Sequence, residues 1–325
     1  MYIASDTRYE KMKYNRCGKS GLMLPAVSLG LWHNFGDTGV YAKMEEMCFT
    51  AFDHGITHFD LANNYGPKAG SAESNFGKIL KEHFMPYRDE MIISTKAGYD
   101  MWEGPYGDWG SRKYLIASID QSLKRLGLDY VDIFYHHRMD PNTPLEETMG
   151  ALSQIVASGK ALYVGLSNYD GPTLEKASAI LDELHVPFVI NQNCYNIFDR
   201  TIEQNGLKAM SEKLGKGIIC FSPLAQGMLS DRYLNGIPED SRVRTDGRFL
   251  QESRLSEEVL GKIRALNEIA EGRGQTLAAW LLKEEVITSV LAGASKPSQI
   301  LYNIKAVENT SFTQDEIETI DRISR

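Results

Sequence analysis

The chain has 325 residues, of which 42% are hydrophobic and 24% are charged, and its formal net charge is −8. These values fit a globular protein with a sizeable core, whereas a nucleic-acid surface would need clustered lysine and arginine. The first 13 residues carry charges without the apolar core of a signal peptide, and no run of about 20 apolar residues follows. We therefore expect a cytoplasmic protein with neither a nucleic-acid nor a membrane partner.

Eight short runs of apolar, β-branched or aromatic residues recur along the chain. They do not alternate polar with apolar residues, as the strands of a one-sided sheet do, and are typical of parallel strands buried on both faces. The runs are residues 26–31, 58–61, 91–95, 130–135, 162–166, 188–190, 217–221 and 289–291.

Stretches with helical periodicity separate these runs. The first helical stretch ends at Gly55, and a later one ends at Gly127. Residues 143–146 predict a capping box on Thr143 with proline at the first helical position, and Thr313 with Glu316 predicts another at the start of the last helix. Each predicted strand is therefore followed by a helix.

Eight strand–helix units in a row predict an α/β fold of the (β/α)₈ TIM barrel type. A doubly wound sheet fits this number of strands less well, because such sheets usually have fewer. A dinucleotide-binding sheet would show G-x-G-x-x-G after its first strand, where this chain reads WHNFGDTG. We predict a single domain over residues 1–325. A hairpin within residues 12–25 would plug the barrel floor, a long loop would follow strand seven at residues 235–256, and an extra helix would end the chain.

Barrel enzymes place their chemistry at the carboxyl ends of the strands. Asp60, Tyr65, Lys96 and His137 follow or end three adjacent strands, so we expect them to converge on one rim. The polar or aromatic residues that follow the eight runs are Trp32, Asp60, Asn63, Tyr65, Lys96, His136, His137, Arg138, Ser167, Asn168, Asn191, Gln192, Asn193, Ser222 and Ser295.

These residue types favour proton-transfer chemistry. A buried lysine and aspartate stabilise each other as charges, and we expect the lysine to lower the pKa of the neighbouring tyrosine toward neutrality. The adjacent His136 and His137 also suggest a metal site, but neighbouring strand residues point to opposite faces, so we predict no metal. Lys96 by itself would also fit a Schiff-base aldolase, a chemistry that barrels host.

Six segments stand in order along the chain: LGLWHNFG, GITHFDLANNYG, ISTKAGYDMW, SRKYLIASIDQSLKRLGLDYVDIFY, SGKALYVGLSN and FSPLAQGMLS. Together they resemble the aldo-keto reductases, and within that family the bacterial L-glyceraldehyde 3-phosphate reductase branch, which is similar to potassium-channel beta subunits. The resemblance runs nearly end to end. It implies NADPH-dependent reduction of small aldehydes or ketones, with L-glyceraldehyde 3-phosphate and methylglyoxal-like carbonyls as expected substrates.

The resemblance also implies roles for individual residues. Asp60, Tyr65, Lys96 and His137 fall on the catalytic tetrad, with Tyr65 as the proton donor. The implied cofactor contacts are Trp32, Asp60, Ser167, Asn168, Gln192, Phe221, Ser222, Leu224, Gln226, Gly227, Arg232, Arg244, Ser295, Lys296, Gln299 and Asn303. Trp32, Arg112 and Arg138 are the candidate substrate contacts, and either arginine would serve equally as a structural ion pair.

Some segments depart from the family pattern or allow two interpretations. Tyr302 stands where this branch usually has a glutamate near the adenine, and residues 274–285 are about one helical turn shorter than in relatives. The long loop, which includes Arg244 and Arg248, fits a solvated mobile surface as well as a cover that places Arg244 on a cofactor phosphate.

Two further expectations come from the resemblance. A redox-sensing regulatory subunit, which would bind NADP(H) tightly and turn over slowly as in channel beta subunits, is the alternative to a reductase. The branch also implies a homo-oligomer, either a tetramer or an octamer.

Overall fold

The eight predicted strands close into one parallel barrel. The computed structural model describes residues 2–239, 241–245, 250–274 and 276–325. Strands β1 (Tyr14–Arg16) and β2 (Met23–Pro25) form an antiparallel hairpin. The barrel strands are β3 (Val27–Gly30), β4 (His58–Asp60), β5 (Ile92–Ala97), β6 (Val131–His136), β7 (Ala161–Ser167), β8 (Phe188–Cys194), β9 (Gly217–Phe221) and β10 (Ile287–Ala292). Strand β10 pairs with β3 and closes the ring, so the predicted (β/α)₈ fold is confirmed.

Side chains fill the interior of the barrel. Successive strand residues point to opposite sides, so every second residue faces inward. Ile133, Tyr135, Ile190, Ile219 and Leu291 form a buried apolar cluster inside the ring. This cluster supports from below the polar residues at the carboxyl ends of the same strands, an end that we call the mouth.

The β1–β2 hairpin closes the other end of the barrel, as predicted. Cys17, Leu22 and Leu24 pack against the interior cluster. The backbone N–H of Lys19 donates to Gly215 O at 2.8 Å. Gly18 has a φ of +55°, and a Cβ there would lie 2.0 Å from Gly215 O, so this close approach requires glycine.

Helices surround the barrel, and their apolar faces explain where they form. The face of the first helix that carries Met44, Met47, Cys48, Ala51 and Phe52 is buried. The α-helices are α1 (Tyr41–Asp53), α2 (Ser71–Ile79), α3 (Arg112–Leu126), α4 (Leu145–Ala157), α5 (Gly171–Glu183), α6 (Thr201–Gln204), α7 (Leu207–Leu214), α8 (Arg242–Thr245), α9 (Glu257–Gly272), α10 (Pro297–Ile304) and α11 (Gln314–Ser324). A π-helical turn spans Leu80–Phe84, and 3₁₀ helices span Met85–Glu90, Ala225–Gly227, Asp231–Tyr233, Glu252–Arg254, Leu277–Lys283 and Lys305–Val307.

No helix in the described ranges is long and apolar enough to cross a bilayer.

One predicted capping box forms and the other does not. At the start of α11, the Thr313 hydroxyl oxygen accepts from the backbone N–H of Glu316, and a Glu316 carboxylate oxygen accepts from the backbone N–H of Thr313, as a capping box requires. The box predicted on Thr143 is wrong, because α4 begins one residue later with Pro144 at its N-cap and no side-chain cap. Asp140 Oδ1 accepts from the Thr143 N–H instead, at 3.2 Å.

The long loop 235–256 and the shortened segment 274–285 both contain short helices. The predicted loop 235–256 contains α8 and a 3₁₀ helix, while residues 240 and 246–249, including Arg248, lie outside the described residues. The shortened segment 274–285 contains the 3₁₀ helix Leu277–Lys283, whose residues 277–281 are buried. Residue 275 of that segment also lies outside the described residues.

Gly165 on β7 makes room for the Tyr135 ring inside the barrel. A Cβ at Gly165 would lie 2.2 Å from Tyr135 Cε1, and Tyr135 is fully buried. We expect Gly165→Ala to lower the free energy of unfolding by about 1–3 kcal/mol through overpacking, measured by urea unfolding. Gly261→Ala in α9, where a Cβ meets nothing within 4 Å, is the control and should stabilise the protein by about 0.5–1 kcal/mol. An unchanged midpoint for Gly165→Ala would contradict this packing argument.

Candidate active site

Four predicted catalytic side chains meet at the mouth. Asp60 ends β4, Lys96 lies in β5, His137 directly follows β6, and Tyr65 lies in the loop after β4. Lys96 Nζ donates to Asp60 Oδ2 at 2.5 Å and to Leu61 O at 2.6 Å, and it lies 3.5 Å from the Tyr65 hydroxyl. The ring centroids of Tyr65 and His137 are 5.9 Å apart. The structure therefore brings these side chains into one cluster.

Asp60 and Lys96 form a fully buried ion pair. Both side chains are 0% exposed. Asp60 Oδ1 also accepts from Ser94 Oγ at 2.6 Å and from Gln192 Nε2 at 3.1 Å. Burial lowers the pKa of Lys96 below its ordinary value, although the Asp60 carboxylate opposes this shift. Each charge therefore depends on its partner and on these added hydrogen bonds.

The expected lowering of the Tyr65 pKa is wrong. Burial of the hydroxyl, followed by the negative charge of Asp60 and by Tyr99, raises the pKa of Tyr65 well above its ordinary value. The Lys96 ammonium is closer to Asp60 than to Tyr65, so its field at the tyrosine is largely compensated. Tyr65 is consequently protonated at neutral pH, the form that a proton donor needs.

The two adjacent histidines face opposite sides of the strand, as their alternation predicts. His136 Nδ1 lies 2.7 Å from the Tyr169 hydroxyl, on the helical side of β6. The His137 ring instead contacts the rings of Tyr65 and Tyr99. Burial, and then the charge of Lys96, holds the pKa of His137 well below its ordinary value of 6.5. His137 is thus a neutral imidazole at the mouth, able to donate an N–H to a bound oxygen.

Arg138 fastens the loop of residues 98–110, here called the mouth loop, beside His137. Its Nη2 donates to both carboxylate oxygens of Asp108, at 2.7 and 2.8 Å, and its Nε donates to Gly98 O at 2.7 Å. The guanidinium carbon lies 4.2 Å from the Tyr99 centroid and 3.5 Å from the Trp109 centroid. The Arg138 guanidinium therefore forms a structural ion pair and stacks on two aromatic rings.

Of the other two candidate substrate contacts, Trp32 lies at the mouth and Arg112 lies in the helical layer. Trp32 is half-buried, and its ring centroid is 6.4 Å from that of Tyr65, so it borders the mouth. Arg112 Nη1 donates to Gly150 O and to Gln154 Oε1 on α4. Arg112 therefore serves the contact between α3 and α4 and is not brought to the mouth.

The segment Ser222–Gly227, which follows β9, has an unusual backbone. Ser222, Ala225 and Gln226 have φ values of +53°, +47° and +64°. This left-handed region costs a non-glycine residue about 1–3 kcal/mol and is kept where the surrounding structure has a use for it. Alternating right- and left-handed backbone forms concavities that bind anions. The segment is held in place by Asn196 Nδ2, which donates to Ser222 O at 3.0 Å.

Helix α10 begins near the same end of the barrel, directly after β10. Its N-cap is Lys296, and both Ser295 and Lys296 are exposed. Gln299 Oε1 accepts from the backbone N–H of Ser295 at 2.7 Å and lies 3.1 Å from Ser295 Oγ, while Asn303 is buried further along the helix. A lysine at the N-terminus of a helix is suited to a phosphate group.

The residues predicted to hold a nicotinamide ring lie beside the tetrad. Asn168, whose φ is +57°, donates through Nδ2 to His137 O at 2.9 Å and to Ser167 Oγ at 3.2 Å. Gln192 contacts Asp60, and the half-buried ring of Phe221 packs on the interior cluster. Amide and hydroxyl groups next to an accessible aromatic ring fit a flat ring that carries a carboxamide.

One of the two predicted phosphate-binding arginines lies just before the long loop, and the other lies within it. Arg232 is half-buried in the 3₁₀ helix Asp231–Tyr233. Arg244 is exposed and forms an ion pair with Glu252, at 3.5 Å. Such exposed pairs are weak, so the Arg244 side chain is available to a stronger anion.

Comparison with known proteins now decides the family. The sequence profile of the Aldo/keto reductase family matches residues 26–325. The chain is 54% identical to L-glyceraldehyde 3-phosphate reductase of Escherichia coli strain K12, over 99% of this chain and 95% of that protein. It is 36% identical to a putative voltage-gated potassium channel subunit beta of Schizosaccharomyces pombe, over 94% of this chain and 91% of that protein. The crystal structure of a thermostable aldo-keto reductase in complex with the inhibitor epalrestat is similar, with a TM-score of 0.75, 30% identity, and coverage of 96% of this chain and 100% of that one.

The chain belongs to the aldo-keto reductase family. It is therefore an oxidoreductase built on a TIM barrel, and it is similar in sequence to a glyceraldehyde 3-phosphate reductase. The family resemblance inferred from the six segments is confirmed.

Sequence reasoning missed several residues that shape the site of this aldo-keto reductase. Ser94 was not singled out, although it lies two residues before Lys96 and therefore faces the same side of its strand. Asp108 and Trp109 were not predicted to hold Arg138, because nothing in the sequence shows where the mouth loop folds. Polar residues two positions before a predicted catalytic residue are a usable signal in such strands.

Carboxylate and imidazole groups also meet away from the mouth. Among the described residues, the group with spacing suited to a metal ion is Glu45, Glu82 and His83, on the outer helical layer. His83 Nε2 already contacts Glu45 Oε1 at 2.7 Å. This arrangement is an ordinary histidine–carboxylate contact between helices.

Acid is expected to destabilise this aldo-keto reductase through its buried histidines. Burial lowers the pKa of His58 and of His136 from 6.5 to about 4. Between pH 4 and 6.5 the unfolded chain therefore binds more protons than the folded chain, so the free energy of unfolding rises with pH and is lost on acidification through this window. Urea unfolding at a series of pH values measures this slope. His136→Gln should make the slope shallower, and a slope unchanged by this substitution would contradict the assignment.

Proposed function

We propose that this aldo-keto reductase reduces small aldehydes and ketones to alcohols with NADPH, and that L-glyceraldehyde 3-phosphate and methylglyoxal-like carbonyls are its substrates. The observation that carries the proposal is the protonated Tyr65 hydroxyl, 3.5 Å from Lys96 Nζ and beside the neutral His137. The 54% identity to a protein named L-glyceraldehyde 3-phosphate reductase supports the substrate class.

The chain's own groups would handle the proton. When bound at the mouth, NADPH would supply the hydride chemistry at the carbonyl carbon. Tyr65 donates its hydroxyl proton to the carbonyl oxygen, and Lys96, held by Asp60, stabilises the tyrosinate that remains. His137 orients the same oxygen with an N–H hydrogen bond. A general acid placed in this way contributes about 10²–10⁴-fold in rate.

The geometry also supports a contact set for NADPH. Asp60, Trp32, Ser167, Asn168, Gln192 and Phe221 surround the position proposed for the nicotinamide. The left-handed segment with Ser222, Leu224, Gln226 and Gly227, together with Arg232 and Arg244, would hold the pyrophosphate. Ser295, Lys296, Gln299 and Asn303 at the start of α10 would hold the adenosine 2′-phosphate.

The proposal is tested by NADPH oxidation with purified protein. DL-glyceraldehyde 3-phosphate and methylglyoxal are compared as substrates, with NADH in parallel. Turnover that prefers NADPH and one of the two carbonyls supports the proposal. Tight NADPH binding with negligible turnover on both would instead favour a redox-sensing subunit, the alternative supported by the 36% identity to a putative channel beta subunit.

The preference for NADPH is expected to depend on Lys296. Lys296→Ala should weaken NADPH binding about tenfold and leave NADH binding unchanged, because only NADPH carries the 2′-phosphate. Lys305→Ala, at the opposite end of α10, is the matched control and should change neither affinity. Calorimetric titration measures all of these values, and an equal loss for both nucleotides would remove Lys296 from the proposed 2′-phosphate site.

The proposal extends to the state of the protein in the cell. We infer a cytoplasmic homo-oligomer, a tetramer or an octamer, in which each chain is one domain. The resemblance to the reductase branch supports this assembly, and analytical ultracentrifugation of the purified protein tests it.

A further inference from the structure

A line of hydrogen-bonded polar side chains lies inside the barrel, below the Asp60–Lys96 pair. His58 lies two residues before Asp60, and Ser94 lies two before Lys96, so all four face the interior. The fully buried His58 ring bridges two strands: Nδ1 is 2.9 Å from Ser28 Oγ, and Nε2 is 2.9 Å from Ser94 Oγ. Ser94 Oγ in turn contacts Asp60 Oδ1 at 2.6 Å. None of these contacts is used by the proton transfer proposed for Tyr65.

The direction of each hydrogen bond follows from the proton that each group has to give. An ionised carboxylate only accepts, so the single Ser94 proton points to Asp60. Toward His58, Ser94 must then act as the acceptor, and His58 Nε2 must carry a proton. Because burial lowers the pKa of His58 to about 4, the ring is neutral at pH 7, and its Nδ1 accepts from Ser28.

The far end of the line is consistent with this direction. Ser289 Oγ donates to Pro25 O at 2.7 Å, so the Ser28 hydroxyl, 2.6 Å from Ser289 Oγ, has one proton and two acceptors within reach: Ser289 Oγ and His58 Nδ1. When Ser28 donates to His58, every donor from Ser28 to Ser94 points toward Asp60. Hydrogen bonds that run in one direction polarise one another, and here they end on the carboxylate that holds Lys96.

We propose that His58 is a positioning residue for the Asp60–Lys96 pair: its Nε2–H fixes the Ser94 hydroxyl as a donor to Asp60, which keeps the carboxylate oriented toward Lys96. With the opposite tautomer, His58 Nε2 would attract the Ser94 proton, and Asp60 Oδ1 would retain only the longer bond from Gln192. The Asp60 carboxylate would then be free to rotate, and Lys96 would no longer be held near the Tyr65 hydroxyl. The effect on turnover rests on the proposed reductase function, whereas the tautomer does not.

The first test reads the tautomer directly and needs no activity. Protein labelled with ¹⁵N-histidine is studied by NMR at pH 7, and the His58 signals are assigned by their loss in His58→Gln. A neutral ring with its proton on Nε2 is expected. A proton on Nδ1 overturns the proposal, even if the reductase function is correct, and a proton on Nε2 supports it, even if the reductase function fails.

The second test separates positioning from simple space filling. A glutamine amide nitrogen can take the place of His58 Nε2, whereas the shorter asparagine places its amide near the position of Nδ1. We expect His58→Gln to keep kcat within about threefold of the wild type and His58→Asn to lose about 10–100-fold, the usual effect of removing the partner that orients a functional side chain, with the Kd for NADPH unchanged. Equal losses in the two variants would show that His58 acts only as packing.

Ser94 lies between His58 and Asp60 in the line, so Ser94→Ala is the matched variant. It should reproduce the kcat loss of His58→Asn, and the double variant should be no worse than either single variant, since both break the same connection. Additive losses would overturn the connection through Ser94. Should His58→Asn fail to fold, Ser94→Ala and the wild-type tautomer still decide the proposal.

Discussion

Tyr65→Phe is expected to lower kcat by about 10²–10⁴-fold, because it removes the hydroxyl that donates the proton and keeps the ring. The phenyl ring can still pack between Trp32 and His137, whose centroids lie 6.4 and 5.9 Å from that of Tyr65. The affinity for NADPH should therefore stay within about twofold of the wild type, since the substitution removes only one oxygen atom. Steady-state kinetics measures the first value and calorimetry the second.

Tyr106→Phe is the control for this substitution. Tyr106 lies on the mouth loop but is 57% exposed, and its ring contacts the Lys113 ammonium. Loss of its hydroxyl should leave turnover unchanged. Full activity in Tyr65→Phe, or an equal loss in both variants, would rule out Tyr65 as the specific proton donor.

Lys96→Met is expected to cost about 3–5 kcal/mol in the free energy of unfolding. The substitution leaves the Asp60 carboxyl group without its cationic partner at a site that is 0% exposed, and it also removes the donor to Leu61 O. Methionine fills a similar volume, so loss of the charge rather than a cavity dominates. Urea unfolding followed by circular dichroism measures the change.

The double variant Asp60→Asn, Lys96→Met separates stability from chemistry. With both charges gone, much of the lost stability should return, because no buried charge is left without its partner. Turnover of the double variant should remain at the level of the Lys96→Met variant. A double variant as unstable as the sum of the two single variants would contradict the ion-pair account.

The fold was predictable because strand burial leaves a local signature. Runs such as residues 217–221 are apolar on both faces, and this pattern alone predicts parallel strands. The convergence of Asp60, Lys96 and His137 follows from the same logic, since the carboxyl ends of parallel strands meet at one edge. Because successive side chains of a strand alternate in direction, the sequence also predicted that His136 and His137 face opposite sides of the strand.

Features that depend on distant partners were not predictable in the same way. The direction of a long side chain is decided by what lies within its reach, so Arg112 turns to α4 and Arg138 to Asp108. The pKa of Tyr65 depends on how deeply its hydroxyl is buried and on which partner compensates Lys96, neither of which spacing reveals. The Thr143 cap failed because Asp140 already accepts the hydrogen bond from that backbone N–H.

The placement of the tryptophans gives the protein a built-in optical reporter. Of the four tryptophans in the chain, Trp32 borders the mouth, and Trp102 and Trp109 belong to the mouth loop, the latter stacked on the Arg138 guanidinium. The fourth, Trp280, is buried elsewhere between the cationic groups of Arg200 and Lys283. Indole emission responds to nearby charge and to solvent, so a ligand that enters the mouth changes the emission of the first three while the fourth contributes a constant background. Binding at this end of the barrel can thus be followed in the unlabelled protein, with Trp32→Phe and Trp109→Phe dividing the signal between the rim and the loop.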